Sequence, residues 1–89
     1  MAVTVKFVGS LRAYAGKSTL TLELKKTASL RKIMETMVRE KPKLKASFNN
    51  ARAGMLILVN GKETSVLKGL DTGLNDGDEV VFVPVVHGG

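Results

Sequence analysis

Eighty-nine residues, 44% of them apolar, suffice for one folded domain with a modest core, and no second domain is expected. Fourteen Lys and Arg against eight Asp and Glu leave a formal charge of +6, a balance that favours acidic partners. Cysteine is absent and His87 is the single histidine, which excludes disulfides, thiol catalysis, thiolate metal sites, and any metal centre or triad built from imidazoles.

Conventional catalysis is therefore poorly provided for. Serines and carboxylates are present, but the one base of suitable pKa, His87, lies two residues before Gly89. The chain reads as something acted upon, with no catalytic and no metal-ligating residue assigned. No apolar stretch approaches the roughly 18 residues that span a bilayer, and Met1-Ala2 leads directly into a strand-like segment. A soluble, cytoplasmic protein without membrane association is expected.

Val3, Val5 and Phe7 alternate with Thr4 and Lys6, which predicts a first strand with one buried face. Gly9-Ser10 and Gly16-Lys17-Ser18 bracket a loop in which Leu11 and Tyr14 are expected to fold back onto the domain. Leu20, Leu22 and Leu24 alternate with Thr21, Glu23 and Lys25 as a second strand, paired with the first as a hairpin. Ser29 then offers an N-cap. Behind it Leu30, Ile33, Met34, Met37 and Val38 form the apolar stripe of an amphipathic helix, with Arg31, Lys32, Glu35 and Arg39 on the other face. Pro42 should end that helix near Glu40-Lys41.

Residues 43–54 carry the least pattern and predict a loop with a helical turn around Leu44–Phe48. Met55–Val59 is a continuous apolar run, too short for a free-standing helix, read as a strand covered on both faces and ended by an Asn60-Gly61 turn. Val66-Leu67 is expected as a short edge strand. Asp71–Asp78 is dense in turn residues and delivers the chain into a final strand, Glu79–Val83. Strand, strand, helix, strand, short strand, strand is the order of a β-grasp domain. Its class is α+β: a mixed sheet of four to five strands with one main helix on one face. The first and last strands, both apolar, should lie centrally.

Pro84 is expected to halt the last ladder, because it has no donor to offer. Residues 1–83 thus form the domain, and residues 84–89, Pro84-Val85-Val86-His87-Gly88-Gly89, a flexible tail. Extended, six residues reach roughly 20 Å at about 3.3–3.6 Å each, far enough to enter a pocket on another protein. The glycine pair has no side chain to clash inside a narrow channel. Ordering such a tail costs roughly 1–2 kcal/mol per residue, so a docking surface beside it must compensate. Val83, Phe82 and Leu70 are the candidates for that surface.

The basic residues Arg39, Lys41, Lys43, Lys45 and Arg52 form the densest positive cluster, read chiefly as a solvated surface. Phe7, Tyr14, Phe48 and Phe82 are too few, with two of them at strand positions, for a base-stacking platform, so nucleic acid is not the favoured partner.

Leu58-Val59-Asn60-Gly61, Gly69-Leu70-Asp71-Thr72, Leu74–Val80, Pro84 and the terminal Gly88-Gly89 resemble the ubiquitin-like sulfur carriers. That family includes the MoaD and ThiS proteins, the ubiquitin-related modifier and the small archaeal modifier proteins. Val5-Lys6-Phe7 with Leu11-Arg12 and Ala15-Gly16 is similar to its first strand and loop, so the resemblance runs nearly end to end. Length places the chain closest to the MoaD-like members. It departs from them in having Val83-Pro84 where two prolines are common, and His87 where a small or polar residue is usual.

The resemblance implies that an activating enzyme similar to the ubiquitin E1 (MoeB- or ThiF-like) threads the tail toward ATP. The Gly89 carboxylate would attack the α-phosphate, releasing pyrophosphate and leaving an acyl-adenylate. A sulfur donor would then displace AMP and leave a C-terminal thiocarboxylate. No cofactor is bound by the carrier; ATP is consumed by the activating enzyme. The implied acceptor is the large, MoaE-like subunit of a molybdopterin synthase, with this chain as the small subunit. Two alternatives share the chemistry: an isopeptide bond from Gly89 to target lysines, and sulfur donation for tRNA thiolation. A third, of another class, is a small basic domain that binds RNA or protein through Arg39, Lys41, Lys43 and Lys45.

Overall fold

A computed structural model describes residues 1–49 and 55–85. Strand β1 (Ala2–Phe7) pairs antiparallel with β2 (Thr19–Glu23), setting Val5 against Leu20 and Val3 against Leu22. These partners share a face, so the alternation in each strand points every apolar side chain to one side. Between them the chain is more than a loop: Leu11–Ala15 forms a short helix, α1, that buries Leu11 and Ala15 one turn apart. Leu11 folds back as expected. Tyr14 does not, remaining 46% exposed, as suits a phenol at the margin whose hydroxyl stays in water.

A two-residue strand, β3 (Ala28–Ser29), precedes the main helix α2 (Leu30–Glu40). Ser29 caps it: the extended backbone lets its hydroxyl accept from the Lys32 N–H at 3.2 Å, while the Leu30 N–H donates to the Thr72 carbonyl. Replacing Ser29 with Ala should cost about 1 kcal/mol and lower the thermal midpoint by about 4–8 °C. A calorimetric scan unchanged to within a degree would remove this cap from the account. Leu30, Ile33, Met34 and Met37 are buried, the stripe expected from their spacing.

After Glu40 the chain turns through a 3₁₀ segment, Pro42–Leu44, into a third helix, α3 (Lys45–Asn49). Leu44 and Phe48 are buried there, so this weakly patterned stretch closes the core. Strand β4 (Met55–Val59) follows, buried at Ile57 and Val59 and half-exposed at Leu56 and Leu58. The expectation of a strand covered on both faces is corrected: among the described residues helices cover one face of the sheet and none covers the other. Asn60 and Gly61 both adopt positive φ, 50° and 82°, the pairing a tight two-residue hairpin requires. They lead into β5 (Lys62–Glu63).

Val66-Leu67 is not an edge strand. The Glu63 carboxylate accepts hydrogen bonds from the Ser65 N–H and hydroxyl, and curls the chain into a 3₁₀ turn at Thr64–Val66. The edge is β5 instead. A further 3₁₀ turn (Gly69–Asp71) and β6 (Gly73–Leu74), which pairs with β3, bring the chain to β7 (Glu79–Pro84).

The main sheet runs β2-β1-β7-β4-β5, with β1 and β7 parallel and the other pairs antiparallel. Both apolar strands thus lie inside the sheet, and β7 is its middle strand. Val3, Val5, Phe7, Val80 and Phe82 are 0–1% exposed beneath α2 and α3. Each such burial contributes roughly 1.5–3 kcal/mol. Phe82 stacks on Phe7 with ring centroids 6.0 Å apart and on Phe48 at 4.9 Å.

Candidate functional site

The last described residues emerge from the best-supported strand of the domain. Phe82 pairs with Phe7 of β1, Val83 with Leu56 of β4, and Pro84 with Met55. The Val8 N–H donates to the Phe82 carbonyl at 3.1 Å, continuing the β1 contact past the end of that strand. β7 therefore runs through Pro84, one residue further than the expected end at Val83. A proline at a strand terminus sacrifices little, since the ladder has no continuation to lose. Val85 follows and is 41% exposed. Val86, His87, Gly88 and Gly89, the remaining residues of the expected tail, lie outside the described residues, as does Arg52 of the basic cluster.

Gly9 packs against this strand end. It has φ +64°, and a Cβ built there would lie 3.3 Å from Cγ of Pro84. Gly61, at φ +82°, has nothing within 4 Å of such a Cβ. Both positions impose the left-handed strain of roughly 1–2 kcal/mol on an alanine. Only Gly9 adds a contact at the end of β7. Gly9→Ala should therefore lower the unfolding free energy more than Gly61→Ala does. Equal losses in urea denaturation would mean that the Gly9–Pro84 approach contributes nothing.

The three expected docking residues divide. Phe82 is fully buried at the centre of the aromatic stack, so it cannot offer a docking surface; its parity in β7 matches Val80, and both face the core. Val83 has the opposite parity and lies half-exposed on the face without helices. Leu70 is half-buried, packed against the core, and lines a cavity shared with Met55, the register partner of Pro84. Sequence reasoning missed Val81, Leu56 and Leu58. The register places Leu56 beside Val83 and Leu58 beside Val81, so four half-exposed aliphatic side chains form one patch at the base of the C-terminal segment. The signal was hidden because an unbroken apolar run reads the same whether one face is buried or two. Lys6 and Glu79, paired at 3.0 Å on that same face, border the patch. Among the described residues, no three His, Asp or Glu side chains come together in a way that could hold a metal ion.

A domain that buries its last strand and brings the chain to the surface at Val85 is matched by one family model, the ThiS family, over residues 5–89. The chain belongs to the ThiS family. It is 35% identical to Ubiquitin-related modifier 1 of Schizosaccharomyces pombe, over 100% of both chains. The match to the bovine protein of that name, 37% identical, spans 64% of this chain and 56% of that protein. The solution structure of small archaeal modifier protein 1 from Methanosarcina acetivorans superposes with a TM-score of 0.83 at 28% identity, covering 99% of this chain and 96% of the other. A putative molybdopterin converting factor subunit 1 from Pyrococcus furiosus gives 0.80 at 29% identity, over 97% and 99%. A further neighbour, at 0.65 and 26% identity over 100% of both chains, comes from the complex of subunits 1 and 2 of the Helicobacter pylori molybdopterin-converting factor. The fold is thus β-grasp, as the element order predicts. The chain is a ubiquitin-like sulfur carrier, one of a class of small proteins that are not themselves catalysts, with neighbours solved together with partner proteins. Among the described residues, no helix is long and apolar enough to cross a membrane.

Proposed function

We propose that this ThiS-family chain is charged at Gly89 by an adenylating enzyme that consumes ATP, and that the adenylate is converted to a thiocarboxylate for delivery to a molybdopterin-forming partner. The observation that carries the reading is the placement of β7. It is the middle strand, held by β1 on one side and β4 on the other, and it ends at Pro84, five residues before Gly89. A rigid root gives a short segment a defined direction of entry into a partner, so less orientational freedom is lost on docking. Pro84, Val85, Val86, His87 and Gly88 are the threaded segment.

The chemistry follows from the terminus. A carboxylate resists nucleophiles at neutral pH, and the mixed anhydride with AMP removes that obstacle. The carboxylate oxygen bonds to the α-phosphorus as pyrophosphate leaves; a sulfur nucleophile then bonds to the carbonyl carbon as AMP leaves. No thiol is needed in the carrier, which has none. The aliphatic patch of Leu56, Leu58, Val81 and Val83 supplies the apolar docking area beside the root. The complex of molybdopterin-converting factor subunits 1 and 2 from Helicobacter pylori supports a protein acceptor of that kind, with this chain as the small subunit. Intact mass spectrometry after incubation with an adenylating enzyme of the same organism, ATP and a sulfur source tests the reading. One carboxylate oxygen replaced by sulfur is expected; an unchanged mass with an enzyme active on its other substrates overturns it.

A second reading, conjugation of Gly89 to lysines of target proteins, is favoured by the end-to-end likeness to Ubiquitin-related modifier 1. Target lysines bearing the branched remnant of residues 69–89, which trypsin leaves because no Lys or Arg follows Lys68, would distinguish it.

A further inference from the structure

The charges of this domain are unevenly spread along β1 and β7. One end is basic, while at the other Lys25, Lys26 and Lys62 lie with Glu23, Asp76 and Asp78 in mixed charge. Both strands begin at an acidic loop, where the Ala2 N–H donates to the Asp76 carboxylate at 2.7 Å and the Asn75 N–H to that of Asp78 at 2.8 Å. Both end at the opposite pole, roughly 20 Å away at about 3.3 Å per residue. At that end the chain forms α1, whose Arg12 Nε donates to the Phe7 carbonyl at 3.3 Å and so lies beside the last residues of β7. The Ser18 carbonyl accepts from the Phe7 N–H at 2.9 Å, which places exposed Lys17 at the same end. The 3₁₀ segment at Pro42–Leu44 packs on α1, and the Lys41 Nζ comes within 3.9 Å of where a Gly16 Cβ would stand. Lys43 is exposed next to it.

Residues 8–19 and 38–49 hold Arg12, Lys17, Arg39, Lys41, Lys43 and Lys45 against Glu40 alone. Among the described residues the ion pairs are Lys6–Glu79 and Arg31–Asp71, and neither draws on these cations. Val85, the last described residue, is exposed at this basic pole.

We infer that Arg12, Lys17, Lys41 and Lys43 form a docking surface for an acidic protein rim, the one that surrounds the channel admitting the C-terminal segment on the activating enzyme. This rests on the proposed function and names the chemistry of its partner. The poles are farther apart than the Debye length of about 8–10 Å, so each is felt separately at physiological salt. An acidic rim attracts the pole that carries the tail more strongly than the far end, where positive and negative side chains are mixed, and so favours a tail-first approach before contact. A protein rim suits the pole better than nucleic acid does. Phe7, Phe48 and Phe82 are buried in one stack, leaving Tyr14 as the exposed aromatic among the described residues.

The test is ATP–pyrophosphate exchange by the adenylating enzyme of the same organism, with varied carrier and salt. Lys17→Glu/Lys41→Glu/Lys43→Glu should lower kcat/KM about tenfold or more, leave kcat within about twofold, and flatten the fall of kcat/KM with salt. The charge-matched control Lys25→Glu/Lys26→Glu/Lys32→Glu alters exposed lysines outside this pole and should stay near wild type. Thermal scans of both triples establish that each is folded, and the milder Lys17→Gln/Lys41→Gln/Lys43→Gln should fall in between. Equal losses in the two Glu triples would make net charge the cause and overturn the surface. A salt-independent wild-type rate would do the same, as would salt-sensitive binding of the wild type to bulk transfer RNA that the first triple abolishes. A wild-type chain that supports no exchange overturns the proposed function, and this inference falls with it.

Discussion

A chain lacking Gly88 and Gly89 will no longer support adenylate formation, and its unfolding free energy will match that of the full chain. The reaction needs a carboxylate at the end of a segment slim enough to reach the nucleotide, and truncation leaves His87 there, two residues short of that reach. Exchange of labelled pyrophosphate into ATP should drop to the level seen without carrier. A loss of this kind exceeds any effect on affinity alone, because no reacting group is delivered. Stability should stay within about 0.5 kcal/mol, the usual range for substitutions away from packed features. The described core ends with Phe82, and Val85 is already exposed. Persistent exchange in the truncated chain would dismiss Gly89 as the point of attachment. A large drop in stability would place the glycines within the folded body.

Phe82→Ala will have the largest effect on folding, about 3–5 kcal/mol by chemical denaturation. A domain of this size holds only about 4–13 kcal/mol in total, so the variant should be partly unfolded at physiological temperature. The reason is position: Phe82 contacts Phe7 on the neighbouring strand and Phe48 on α3 at once, and truncation opens a cavity with rigid walls on several sides. The same substitution at a surface docking residue would change stability by a few tenths of a kcal/mol. A small change would therefore return Phe82 to the surface and contradict its burial. Activation by the partner should follow the folded fraction of the variant and show no separate defect.

The elements that could be read from the sequence are those with a long, clean period. The alternation of Val3, Val5 and Phe7, the stripe from Leu30 to Val38, and the apolar run Met55–Val59 each repeat a pattern that only one regular structure buries well. Short elements are less legible: the residues predict a loop at α1, and at α3 a helical turn within a loop. Both are five residues, below the length at which a helix is stable by itself, so they exist because Leu11, Ala15 and Phe48 find the core. β5 replaced Val66-Leu67 as the edge because one carboxylate, Glu63, turned the chain, a side-chain event that hydrophobic periodicity does not register.

The candidate site shows the same division. The glycine pair, the proline before it and the lack of competing chemistry were visible in the residues themselves. The docking patch was not: Phe82 and Val83 are adjacent and both apolar, and only the pleat of β7 decides that one is core and the other surface.

By itself, the order of residues determined which segments must be buried, what chemistry was out of reach, and that the one unusual chemical feature lay at the C-terminus. Composition and period are local properties, and local properties specify local structure. Tertiary structure alone decided that Leu56, Leu58, Val81 and Val83 share one exposed face, and that Arg12 and Lys17 stand with Lys41 and Lys43 around the end of β7. Those groupings join residues tens of positions apart. They depend on strand register and on the parallel pairing of β1 with β7, which carries both strands from the Asp76–Asp78 loop to the basic pole.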